Sequence, residues 1–392
     1  MIMRDLNIME TFKQSVKIKN IEFLRFIFAV FIVYFHLVSG YLFINLGDSI
    51  ELYSKLNRHC NGCLCVEYFF IIAGFFLITK TNFNIDIIDY AKKKIMRLWP
   101  VLAFTLGIYW ILSFFTPIEF CKYSNILTLL LVNNVGINTH FGNILPAWYV
   151  SAFFWCILLY FYIIKYVPKK HVNFLITVMV IFALSARIHS NGMSAKDVFI
   201  LNNIGLLRGI YCTGLGYFIG LIYLKMSGGG QLSAFNDIWK KLIYTGIEAY
   251  LLITVVYNTV CYKSKSPDIY LFYLITFCLL LWFFVNQKGY ISKLFNQNFS
   301  VFLGKYSYSI YIIHSVVLNL FREYVWKMHS GFVINYPVIN LVLPILLSVI
   351  AGITAYHLVE KPCSNYLYNK WFSGNKIAKA SVNVDKVAIY EK

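Results

Sequence analysis

Residues 21–45, IEFLRFIFAVFIVYFHLVSGYLFIN, constrain this chain more than any other stretch. The run is apolar and long enough to cross a bilayer as a helix. Yet it carries Glu22, Arg25 and His36. Ionisable groups inside a span are costly, and those that persist mark function. At about 100° per residue, the step from Arg25 to His36 makes roughly three turns plus about 20°. Both side chains therefore share one face, with the imidazole ~16 Å further along the axis. Glu22, one turn before Arg25, lies on that face too. One helix face thus offers a carboxylate–guanidinium pair near one membrane surface and an imidazole near mid-depth.

The rest of the chain agrees with a membrane setting. Of its 392 residues, 59% are hydrophobic and 13% charged, and the mean hydropathy is +0.65. A soluble protein of that size has no way to bury so much apolar surface. The expected fold is all-α, a polytopic bundle of about ten transmembrane helices. The apolar runs fall at residues 21–44, 63–79, 99–116, 147–167, 172–186, 205–224, 242–261, 268–286, 302–321 and 337–359. Residues 123–133 are apolar but too few to span, and predict an interfacial or re-entrant helix. The domain reading is a cytoplasmic tail over 1–20, a membrane domain over 21–361 and a basic cytoplasmic tail over 362–392. Residues 226–236, MSGGGQLSAFN, read as a flexible cytoplasmic linker.

Charge sets the orientation. The net charge of +18 does not point to nucleic acid, because no basic face with a nucleic-acid motif is present. The cations lie between the spans. Taking alternate loops together with both tails, one set holds 23 Lys and Arg and the other nine. Positive residues favour the cytoplasmic side, so both termini are expected there, as an even number of spans requires. The N-terminus shows no cleavable signal: its apolar run is too long and no small-residue cleavage site follows. No internal repeat is visible, which counts against transporters built on inverted repeats. His59-Cys60-Asn61-Gly62-Cys63-Leu64-Cys65 is the one cysteine cluster. No second ligand pair follows it, so packing or an outer-face disulfide is expected rather than a metal site.

Further ionisable residues fall inside the spans: Glu67, Arg208, Glu248, Lys305, His314 and His357. Glu67 lies about as far from its span's midpoint as His36 does from its own, and the two helices share a short outer loop. The carboxylate would then hold the imidazole, or else face the outer headgroups. Ser307, Tyr311 and His314 fall on one face of the ninth span, as a cavity lining or as interhelical glue. Lys305 would snorkel to the surface or meet an anionic ligand. Arg208, Glu248 and His357 read as structural or interfacial rather than catalytic. Arg97, with Lys92, Lys93 and Lys94 nearby, is either a positive-inside anchor or a phosphate site facing Arg25. No Walker loop, nucleophile elbow or dinucleotide fingerprint occurs, so chemistry would have to use His36.

These residues resemble a known pattern. Glu22-Phe23-Leu24-Arg25 followed by His36 is similar to the opening signature of the membrane acyltransferase-3 family. The stretch Val66-Glu67-Tyr68-Phe69-Phe70 running to Gly74-Phe75 resembles that family's second span. Arg97-Leu98-Trp99-Pro100 resembles its Arg-Ile-x-Pro, Trp148-Tyr149-Val150 its Trp-x-Leu, and Gly304 to His314 its Gly-x-x-Ser-Tyr-x-x-Tyr-x-x-His. The fragments occur in order over about residues 20–360. The chain departs at Ile95, where members often carry Arg and where Lys94 would substitute. It departs again at Ala73, and at Ala152 and Phe153. The soluble domain fused to some members is missing.

The resemblance implies an acyltransferase of the bacterial cytoplasmic (inner) membrane. It would move an acyl group, usually acetyl, from acyl-CoA to a sugar hydroxyl of a surface polysaccharide or lipid-linked glycan, with no tightly bound cofactor. Coenzyme A phosphates would sit among Arg25, Arg97 and Lys94. His36 would act as general base with Glu67 orienting it, or form a transient acyl-imidazole. Trp148, Tyr311 and His314 would face the acceptor. Two rivals remain at this level: an exporter of such glycans, and a relay passing the acyl group to a separate outer enzyme. Membrane lipid is the one other partner implied, and nothing in the sequence specifies an oligomeric state.

Overall fold

The computed structural model describes residues 18–42, 51–133, 135–136, 142–189, 204–228, 238–260 and 266–372. Every regular element among them is helical, and ten helices are long and apolar enough to cross a membrane. We number the spans α1 (Asn20–His36), α2 (Cys65–Lys80), α3 (Ile87–Phe115), α4 (Ala147–Tyr166), α5 (Lys169–His189), α6 (Ile204–Gly228), α7 (Ile238–Val260), α8 (Pro267–Asn286), α9 (Ser307–Phe321) and α10 (Pro337–Ala355). A further helix, α11 (Lys361–Phe372), follows α10 through a wide π turn, Tyr356–Glu360. The 1–20 tail, the 226–236 linker and the far end of the C-terminal tail lie largely outside the described residues.

α2 and α6 form the tightest crossing. A Cβ on Gly74 would come within 1.9 Å of the Thr213 carbonyl oxygen, and one on Gly216 within 1.9 Å of the Ile71 carbonyl oxygen. In lipid, apolar side chains gain little by leaving the solvent, so close backbone approach through small residues is what holds such pairs together. α1 is fixed at its base. The Asn20 side-chain amide donates to the carbonyls of Phe284 (2.7 Å) and Ser292 (3.0 Å). Ser292 is itself held by buried Glu248, which accepts from its backbone N–H at 3.0 Å and its hydroxyl at 2.5 Å. Glu248 is thus structural.

The end of the last span departs from the sequence reading. Helix continues past 361, through Pro362 to Phe372. Proline lacks a backbone N–H and crowds the preceding turn. The wide turn just before it accommodates both defects. α11 then packs back on α3, where Tyr368 and Phe372 bury against Met96.

Between α3 and α4, the short apolar stretch expected as an interfacial or re-entrant helix folds into the bundle. Its short helix, Lys122–Leu129, is followed by backbone clamped from two spans. The Trp99 indole donates to the Leu129 carbonyl (3.1 Å) and the Trp155 indole to that of Leu131 (2.8 Å). The Tyr311 hydroxyl donates to the Pro146 carbonyl at 2.9 Å. Tyr311 lies near the middle of the continuous span Asn298–Trp326, so α4 begins inside the bundle, not at its rim. The described cysteines are all free thiols, and Cys60 and Cys65 pack in the interior.

Candidate active site

His36 closes α1, and the helix widens into a π turn, Leu37–Leu42, directly after it. Its half-buried ring lies 5.3 Å from the ring of His314, with the planes 25° apart, a stacked pair. His314 is fully buried, and its Nδ1 lies 3.3 Å from the Ile310 carbonyl. That contact is a hydrogen bond when Nδ1 carries the proton, which leaves Nε2 as the acceptor nitrogen. Tyr311, one turn earlier on α9, lies 6.2 Å from His314 and 5.4 Å from Tyr149, ring to ring.

Tyr149 connects this pair to the arginines. It lies within electrostatic reach of both Arg25 and Arg97. Arg25 is half-buried and donates to Glu22 at 2.7 Å, as its helical spacing requires. Tyr308 lies within reach of Arg97 and Tyr149. The rings of Tyr149, Tyr311, His314 and His36 thus form one polar seam, with Arg25 and Arg97 at its Tyr149 end. On α1 itself the face between Arg25 and His36 is filled by buried Ala29, Ile32 and Val33.

Two expected contacts form differently. Glu67 does not hold His36. Its carboxylate is gripped by Arg208 of α6, whose Nε and Nη2 each donate at 2.7 Å, and by the Tyr270 hydroxyl at 2.9 Å. Tyr270 in turn pairs with the Tyr211 hydroxyl. A guanidinium matches a carboxylate in bidentate fashion where an imidazole offers one N–H, and burial makes the better-matched pair decisive. Glu67 and Arg208 each stand about one turn inside the start of their helix, which puts them at a similar depth without showing that they face each other.

Trp148 is the second difference. It is buried, and the Arg208 guanidinium sits 4.9 Å over its ring. That face is closed to a sugar. Lys94 folds back so that its ammonium lies 4.7 Å over the Tyr90 ring, one turn before exposed Arg97. Lys305 neither snorkels freely nor stands apart: it lies 4.3 Å over Phe302 and 4.8 Å over Tyr306. No group of three metal-ligating side chains occurs among the described residues.

Sequence reasoning missed Glu360. It is buried, accepts from the Ser309 hydroxyl at 2.5 Å, and lies within reach of Arg97 and Arg25. Its signal was a carboxylate one residue past an apolar run. The polar text that follows, Lys361-Pro362, disguised it as a tail.

A family model described as an acyltransferase domain (Acyl_transf_3) matches residues 18–357. No curated protein and no solved structure matches the chain significantly.

Proposed function

We propose, on the premise that this chain belongs to the acyltransferase-3 family and is a multi-pass membrane acyltransferase, that it carries an acetyl group from cytoplasmic acetyl-CoA to a sugar hydroxyl. The acceptor is a surface polysaccharide or lipid-linked glycan outside the cytoplasmic membrane. One observation carries this reading: the stacked His36–His314 pair lies at the far end of a polar seam that starts at Arg25 and Arg97.

Each end of the seam suits one substrate. The donor's phosphates are anionic, and guanidinium groups bind phosphate through paired hydrogen bonds. The thin pantetheine arm would follow the seam past Tyr149 and Tyr311 and bring the thioester carbonyl to His36. His36 then takes the proton of the acceptor hydroxyl as its oxygen attacks that carbonyl carbon. The new C–O ester bond forms, the C–S bond breaks, and the departing thiolate receives the proton from His36. His314 packs against the base and limits how its ring can turn. Glu67, with Arg208, braces α2 on α6 rather than touching the reaction.

The test is turnover of labelled acetyl-CoA by the purified protein with extracted surface glycan as acceptor. His36→Ala should cut the rate by about 10² to 10⁴, the usual contribution of a positioned general base. A His36→Ala protein that transfers label at the wild-type rate would remove His36 from the chemistry.

A further inference from the structure

The last span meets α3 at the residue that the donor reading depends on. Pro100 has no N–H, so the Met96 carbonyl four residues earlier loses its partner within the helix. The Ser364 hydroxyl of α11 takes that place at 2.7 Å. Two residues on, the Leu98 carbonyl accepts from the Tyr308 hydroxyl at 2.5 Å. Arg97 is therefore bracketed on both sides by bonds from other elements. Ser364 stands one turn after Glu360, and Tyr308 is next to Ser309, which donates to Glu360. The turn Tyr356–Glu360 packs directly on α3. The carboxylate it buries lies within electrostatic reach of Arg97 and Arg25.

A buried carboxylate is costly without partners. Here one oxygen is met by Ser309, and two guanidinium groups lie within electrostatic reach of the carboxylate. Among the described residues no hydrogen bond or ion pair joins Glu360 to Arg97, which is exposed and keeps its N–H donors for a ligand's anion. We propose that Glu360 is a positioning residue: it holds the Arg97–Arg25 pair facing into the seam, ready for the phosphates of the donor. This rests on the acyl-CoA reading above.

The test compares two donors that differ in those phosphates, acetyl-CoA and acetyl-pantetheine, in the full-length protein. The measured quantity is the preference, the ratio of their kcat/KM values. Wild type should favour acetyl-CoA. Glu360→Gln should cut that preference about ten-fold, the scale of one lost charge-assisted contact, chiefly through KM for acetyl-CoA. Glu360→Asp should restore part of it. Ser309→Ala, which keeps every charge but frees the carboxylate, should move the preference the same way by a smaller factor. A preference that is unchanged, or raised because a repelling negative charge has gone, would overturn the proposal. Wild type that uses neither donor, or shows no preference, would instead sink the acyl-CoA reading itself.

Discussion

At the scale of single residues the two histidines divide the work unequally. His36 is reachable and His314 is sealed behind it, so the inner ring acts through contact. His314→Phe keeps a flat ring against His36 and should retain most of kcat. His314→Ala leaves His36 free to turn and should lower kcat by about 10- to 100-fold, the usual cost of small misplacement. Single-turnover transfer from labelled donor measures both. Glu67 makes the opposite prediction. Glu67→Ala strands the Arg208 charge in the interior, which costs about 3–5 kcal/mol. The outcome should be a lower unfolding temperature in detergent, with a double Glu67→Ala, Arg208→Met variant recovering part of the loss. Helical spacing made the common face of Arg25 and His36 legible in the sequence, because both lie on one helix. The partner of Glu67 was not legible, since it depends on how α2 turns about its own axis, which an evenly apolar helix leaves undetermined.

At the scale of elements, backbone contact governs the bundle. Gly74→Leu should abolish the α2–α6 crossing, because the added side chain runs into the carbonyl of Thr213. Folded protein recovered from membranes by size-exclusion chromatography should fall to background. Gly107→Ala, on α3, meets nothing within 4 Å and should be recovered normally. Nine of the ten span centres follow from the apolar runs to within a turn or so, since length and hydropathy decide them. The exception is α3, whose helix begins at Ile87, well before its apolar run, while α10 is prolonged into α11 because a wide turn excuses Pro362. The apolar segment after α3 was readable as too short to span. Its depth was not, because that is set by two indole donors from distant helices, Trp99 and Trp155.

For the whole molecule, the distribution of Lys and Arg predicts that both termini face the cytoplasm. Two exposed native thiols test this without engineering: Cys121, after α3, and Cys363, in α11. A membrane-impermeant maleimide added to intact cells should label the peptide holding Cys121 and spare that of Cys363. Permeabilised cells should label both, and the reverse pattern would invert the topology. The same geometry has a consequence for diversity. Because α4 starts inside the bundle, the described part of the wall between α3 and α4 is folded-in loop. Such a wall can be rewritten, residue by residue or by insertion, while the helical frame stays as it is. On the acyl-transfer reading proposed above, descendants of one ancestor would then come to modify different acceptors by editing that single plug.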